Sequence, residues 1–268
     1  GEFAVQFSKD IANRVFDEIK SKSQIKKQLI QCPTLYIPML AVPKNIDHDR
    51  PKDRTTIEIT INEKKITDDY SVEKQLHSID LRILLFLPNL SKISINIDGN
   101  SITYKRVICE SQQFIGLQCK SVELCKVQNG QQLYSERYHL FNRDIFQAID
   151  EDDIKKDIRM SIAVPVSDVT IKHIYSYFPL LDTNSPFSII LHATYALGDH
   201  RNTLNSSETN KIIVEKQLDF LIEIAQTYID KGELARAYKI LHPLNWEMSS
   251  IAKFNLKEKY VKKLSQIK

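Results

Sequence analysis

Glycine is scarce in this chain. There are six in 268 residues, and none falls into the G-x-G-x-x-G or G-x-x-x-x-G-K-[ST] spacing with which a backbone wraps phosphate. A self-contained nucleotide site of either kind is excluded. The four cysteines, Cys32, Cys109, Cys119 and Cys125, lack the C-x-x-C spacing of zinc and redox centres, and no histidine stands at ligand spacing from them. They read as reduced thiols of an intracellular, cytoplasmic protein. No apolar run approaches the ~20 residues that span a bilayer. The longest, 81–90, is broken by Arg82 and Pro88, and no basic-then-apolar leader opens the chain. Charge of one sign is missing too: 37 Lys+Arg against 34 Asp+Glu leave a net +3, which makes no case for a nucleic-acid or membrane partner. What is present, 42% hydrophobic and 26% charged residues, is the balance of a globular protein with a real core, in one large or two ordinary domains.

Apolar residues Ile11, Val15, Ile19, Ile25 and Leu29 recur at helical intervals over 8–30, and the spacing predicts one or two amphipathic helices. Residues 34–42, with Pro38, read as an edge strand or extended segment. Thr55-Thr56-Ile57-Glu58-Ile59-Thr60-Ile61 alternates at period two and predicts a strand with one buried face. Ser78 then stands as an N-cap, Leu81, Leu84 and Leu85 form an i, i+3, i+4 face, and Pro88 ends a short buried helix.

Two β-hairpins follow. Ile93, Ile95 and Ile97 alternate into the turn around Gly99, with Ile102, Tyr104 and Val107 beyond it. Residues 116–127 and 133–141 flank Asn129-Gly130, a positive-φ turn pair. Together they predict a four-stranded antiparallel meander. The run Asp150-Glu151-Asp152-Asp153 lacks the glycine and alternation of a calcium loop. It suits a solvated loop or a helix start at 154, where the dipole favours acids. Residues 161–166, 174–180 and 187–197 read as extended, the last containing His192 as a hydrogen-bonded core residue. Helices are expected from about Ser207 to Ile229, over 233–241 and over 254–267. The lysines of the last alternate with apolar residues and form a solvent face, or a nucleic-acid surface as the weaker alternative. Hairpins first and helices late indicate an α+β fold.

The junction Arg201-Asn202-Thr203-Leu204-Asn205-Ser206-Ser207-Glu208-Thr209-Asn210-Lys211-Ile212-Ile213 reads strand, basic loop, helix. A guanidinium beside the unpaired N–H groups of a helix start suits an anion. His200 stands next to Arg201. The wording of this run, with Arg201, Leu204, Asn210, Lys211 and Ile212, resembles the middle domain of the ninety-kilodalton heat-shock chaperones. Tyr177-Phe178-Pro179, Pro186-Phe187 and Leu191-His192-Ala193 look more like the sacsin-type relatives, in the same superfamily of gyrase-, chaperone- and histidine-kinase-type ATPases. Arg54-Thr55-Thr56 is similar to the Gly-Thr box that closes their ATP-binding domain, with Arg54 in place of the glycine. Gly1-Glu2-Phe3-Ala4-Val5-Gln6-Phe7 is either the residue of a cloning site or a degenerate phosphate-covering Gly-x-Phe-Gly-x-Gly-Phe segment, with Ala4 and Gln6 where two glycines belong.

This resemblance implies a fragment in three parts. Residues 1–66 would end an ATP-binding α/β sandwich, 67–229 would form a middle, transducer-like domain, and 230–268 a helical tail. It implies that Arg201 contacts the terminal phosphate of ATP, with Asn205, Thr55, Thr56 and His200 near the nucleotide. ATP and Mg2+ would bind in the intact parent, through acidic motifs preceding Gly1, so this chain alone is expected not to hydrolyse ATP. The implied partners are that N-terminal domain, a client or partner protein, and a second copy in a homodimer. The rival expectation is a non-catalytic module that holds partner proteins on its hairpin sheet and C-terminal helices.

Overall fold

The computed structural model describes residues 4–6, 39–41, 72–97, 99–114, 117–149 and 155–267. The chain divides into two compact units, 1–64 and 65–268. In the first, β1 (Ala4–Gln6) pairs antiparallel with β2 (Met39–Ala41), Val5 opposite Leu40. The helices expected over 8–30, the strand over 55–61 with Thr55 and Thr56, Cys32, and the acidic run 150–153 lie outside the described residues.

The second unit opens with helix α1 (Val72–His77) and a 3-10 helix (Leu81–Leu85). The cap of the latter is Asp80 rather than Ser78. The Asp80 carboxylate accepts the Arg82 N–H at 2.9 Å, whereas the Ser78 hydroxyl turns back to the Gln75 carbonyl and closes α1. Leu81, Ile83, Leu84 and Leu85 are all buried, so apolar burial holds a helix too short to stand on its own hydrogen bonds.

Then come β3 (Lys92–Ile97), β4 (Asn100–Phe114), β5 (Leu117–Gln128), β6 (Gln131–Ile149) and β7 (Lys155–Pro165) in a continuous antiparallel meander. Gly99 and Gly130 sit at φ 83° and 82° in its turns, the left-handed region that favours glycine. The meander is longer than the four strands expected. Of the two expectations for the acidic run, a loop or a helix start, the helix does not follow: Lys155 pairs with Ile149 and Asp157 with Gln147 in the β7–β6 ladder. The alternation of Ile158, Met160 and Ile162, all buried, outweighs the local acid-rich helix signal.

Beyond it, β8 (Tyr175–Ser176) and β9 (Phe178–Pro179) form a tight hairpin. The strand expected over 187–197 is only β10 (Ile190–Ala193), which pairs antiparallel with β7 and parallel with β8. The sheet order is β3-β4-β5-β6-β7-β10-β8-β9. Helices α2 (Glu208–Asp230), α3 (Leu234–Leu241) and α4 (Lys257–Leu264) complete the unit. The class is α+β.

Both faces of the sheet are buried, and the register shows how. Cys119, Phe141, Ile162 and Leu191 lie opposite one another across β5, β6, β7 and β10, and all four join one core with Phe220, Leu221 and Ile224 of α2. One residue along, Leu140, Ala163 and Ile190 form the next cross-strand row and join a second core with Leu84, Phe86 and Tyr104. Successive side chains of a strand point to opposite faces, so adjacent rows feed different cores. A curled sheet thus packs helices on one side and the 3-10 helix on the other. Trp246, Ile251, Phe254 and Tyr260 belong to the helical core, so residues beyond 230 are built into the same unit.

An ion-pair network ties the 3-10 helix to the sheet. Arg82 donates to both carboxylate oxygens of Glu136 at 3.0 Å and to the Tyr138 hydroxyl at 2.9 Å. Tyr138 in turn donates to Glu136 at 2.6 Å, and Tyr175 donates to Asp80. Burial raises both phenols well above their ordinary range, so they are neutral donors at any physiological pH.

Candidate functional site

Arg201 sits on the connection from β10 to α2, a small hairpin anchored residue by residue. Leu197 and Leu204 form an antiparallel bridge. Gly198 N–H donates to the Thr203 carbonyl at 3.1 Å, and Asn205 N–H to the Ala196 carbonyl at 3.1 Å. At the tip Arg201 N–H donates to the Gly198 carbonyl at 2.8 Å, with Arg201 itself at φ 56°. That is an uncommon conformation for a residue other than Gly, Asn or Asp, and the rest of the loop must hold it. Gly198 is needed for its size: a Cβ there would lie 2.8 Å from the Thr203 hydroxyl.

The anchor is Asn210, fully buried in the first turn of α2. Its side-chain carbonyl accepts the Ala196 N–H at 2.9 Å, and its amide donates to the carbonyls of Ala196 at 2.7 Å and Asn205 at 2.9 Å. The Ser207 hydroxyl caps α2 by accepting the Asn210 N–H at 3.2 Å. From the other side Lys253 donates to the Leu204 carbonyl. Two turns further along α2, the Gln217 amide donates to the His192 carbonyl at 3.1 Å, and its carbonyl accepts from the buried Tyr195 hydroxyl.

His200, Arg201 and Asn205 are therefore brought onto one hairpin, and all three are exposed. His200 and Arg201 occupy the tip, and Asn205 the stem. The side chain of Arg201 makes no ion pair among the described residues. The helix start beneath is closed by the chain's own groups: Ser207 takes the Asn210 N–H, and Glu208 puts a carboxylate in the first turn. Among the described residues no cluster of three His, Cys, Asp or Glu side chains suits a metal ion. Cys109 is exposed, Cys119 and Cys125 are buried, and all three are free thiols.

A second feature lies on the opposite face of the sheet from α2. A cavity of about 270 Å³ opens there, with His192 in its wall. His192 is buried, as expected, but it is not hydrogen-bonded: neither ring nitrogen has a partner among the described residues. Its ring instead stacks on Phe86, centroids 4.3 Å apart and planes within 4°, and meets the edge of Tyr177 at 5.0 Å. Burial pushes its pKa down to about 3, so the imidazole is neutral. Arg106, Lys120 and Arg159 also line this cavity. Sequence reading missed it because the contributing residues are scattered over five strands. The available signal was a cation interrupting an otherwise apolar strand, Arg159 between the buried Ile158 and Met160 above all.

No described helix is long and apolar enough to cross a membrane. Comparison with protein-family models, with curated proteins and with solved structures finds no match for this chain.

Proposed function

We propose that this chain is the middle portion of a sacsin-like, heat-shock-chaperone-type ATPase and that Arg201 is its trans-domain arginine, reaching the terminal phosphate of ATP held by an N-terminal domain. What supports the reading is one observation: an exposed guanidinium without an ion pair among the described residues, at the tip of a hairpin braced by Asn210, Gly198 and Lys253. A cation that must meet charge as it develops needs such a fixed mount, because rigidity beforehand removes reorganisation at the moment of reaction.

The chemistry asked of Arg201 is modest and large in effect. As the terminal phosphoryl group loosens, charge spreads over its equatorial oxygens, and a guanidinium stabilises it there; in GTPases such an arginine is worth roughly 10³–10⁵ in rate. Of the groups such a site needs, the described residues fit only this cation and the neighbouring His200 and Asn205. Mg2+ would be held by an Asn and adenine by an Asp of the N-terminal domain, which would also supply an acidic residue to orient water. Hydrolysis would then shift the hairpin, and through Asn210 the helix α2, altering the surface offered to a client or partner.

The test is steady-state ATP turnover by the parent protein carrying both domains. Arg201→Ala is expected to lower kcat by about 10³ while changing nucleotide affinity only a few-fold, and Arg201→Lys to recover part of the rate. Turnover unaltered by Arg201→Ala rejects the assignment. A parent that neither binds nor hydrolyses ATP supports the second reading, a non-catalytic interaction module. That reading draws on Leu234, Tyr238, Leu244 and Met248, large apolar side chains left exposed on and after α3.

A further inference from the structure

The cavity beside His192 has no part in the reading of Arg201, and its composition is unlike the rest of the surface. Its floor is apolar and aromatic, with Phe86, Tyr177 and Leu140. The cations above it come from three strands: Arg106 of β4, Lys120 of β5 and Arg159 of β7. No carboxylate occurs among the described residues that line it.

These cations differ in what already holds them. The Arg106 guanidinium donates to the carbonyls of Leu84, Leu87 and Pro88 at 2.7, 3.1 and 2.8 Å, which keeps a positive charge at a fixed place on the wall without neutralising it. Lys120 and Arg159 are exposed and make no ion pair among the described residues. Arg143 also reaches the rim, but its guanidinium is paired with Glu223 and lies over the Phe220 ring. Among the described residues, these two side chains can therefore turn to a ligand at no cost in broken pairs.

The second observation is His192. An imidazole that is 2% exposed, with both nitrogens unpartnered among the described residues, is a polar group of the kind folded proteins rarely keep without a use. Its neighbours in the sheet lead to it in order: Asn142, Ser161 and His192 lie opposite one another across β6, β7 and β10, with the Ser161 hydroxyl donating to Asn142 at 2.8 Å. Tyr177, whose ring meets His192, is held at φ 65° between β8 and β9, a strained backbone for an aromatic residue.

We propose that this cavity binds a small amphipathic organic anion, a carboxylate or phosphate monoester on a body of about one aromatic ring. The body lies against Tyr177, Pro88 and Ile108, the accessible apolar part of the lining, and the head meets Lys120 and Arg159 in the standing field of Arg106. The volume fixes the size, since about 270 Å³ lies just below the roughly 300–1,000 Å³ of sites for drug-sized ligands. A bare inorganic anion would leave the apolar floor uncovered, and a neutral aryl compound would leave the cations unused.

The full chain is titrated with 3-phenylpropionate and with phenyl phosphate, followed by calorimetry and by the histidine ring resonances. The neutral 3-phenylpropanol and inorganic phosphate serve as comparisons. Saturable binding of at least one organic anion below about 10 mM, tighter than both comparisons and moving the His192 resonances, is expected. Lys120→Gln and Arg159→Gln are each expected to weaken it about tenfold. Both positions are exposed and unpaired among the described residues, so these variants keep the fold, and an unchanged melting curve verifies it. Absence of saturable binding by both anions, equal binding of the alcohol, or affinity indifferent to both substitutions overturns the proposal. Binding that leaves the His192 resonances unmoved places the ligand elsewhere and overturns it as well.

Discussion

His192 couples one side chain to the stability of the whole unit. Its imidazole stays neutral when folded because burial pushes its pKa to about 3, whereas in the unfolded chain it takes a proton near pH 6.5. The unfolded state therefore binds the proton first. The stability that a neutral His192 confers is present above about pH 6.5 and is lost as pH falls from there towards 3. By pH 4.5 the loss is roughly 2–3 kcal/mol. His139, also pushed down by burial, acts in the same direction, so the difference between variants isolates His192. Urea midpoints at pH 7.5 and 4.5 should fall less in His192→Phe than in the native chain. Equal falls would sink this account. The sequence alone marked His192 as a core residue, since its neighbours are apolar. That its nitrogens would go without partners was not legible, because the rings that cover them, Phe86 and Tyr177, arrive from 106 and 15 positions away along the chain.

Among the elements, the hairpin from 196 to 205 depends most on one residue outside it. Asn210 satisfies the Ala196 N–H and two carbonyls at once, and Asn210→Ala removes all three half-buried bonds, leaving the Ala196 carbonyl only the Asn205 N–H. The cost is about 2–4 kcal/mol, and it falls on the loop that presents Arg201. Faster tryptic cleavage after Arg201, together with the lowered melting temperature, is the expected signature; a variant as stable and as resistant as the native chain would show that water or a neighbour replaces the clamp. The start of α2 was plain in the sequence, because Ser207 before a helical period is a capping signal. The two hairpins around Gly99 and Gly130 were equally plain, as period-two strands joined by a positive-φ turn. The Lys155–Pro165 strand was obscured by its acidic, lysine-rich opening, which fits a helix start locally and is overruled by pairing with β6. Asn210 was noticed only as part of a resemblance, since nothing local distinguishes an asparagine that clamps a loop from one that faces water.

At the scale of the whole molecule, the two cores share a single sheet and cannot be separated cleanly along the chain. The helical core counts residues from Cys119 to Tyr260 among its members. Its later contributors, Trp246, Phe254 and Tyr260, pack on Phe187 and one another, with Phe187 to Trp246 centroids 6.2 Å apart and Trp246 to Tyr260 5.6 Å. A chain ended at residue 230 loses these rings and uncovers one face of the sheet. It is expected to lack a cooperative urea transition where the full chain has one, with exposed apolar surface driving association. A truncated chain that unfolds cooperatively at the native midpoint would refute the shared core. The α+β class could be read from the order of hairpins and helices. The two-sided burial of the sheet could not, because it depends on which row of each strand faces which layer.

That alternation gives the cavity's cations a second role, in choosing the alignment of the strands. Arg159 stands between Ile158 and Met160, and Lys120 follows Cys119, all three of these neighbours being in the helical core. A slip of one residue in β7 or β5 would exchange the rows and drive a guanidinium or an ammonium into the layer beneath α2. A sheet buried on both sides has apolar residues on either face and would otherwise tolerate such a slip more readily than a half-exposed one. Two charges placed on one face make the wrong pairing costly, so the side chains proposed to greet an anion also act as an error check during folding.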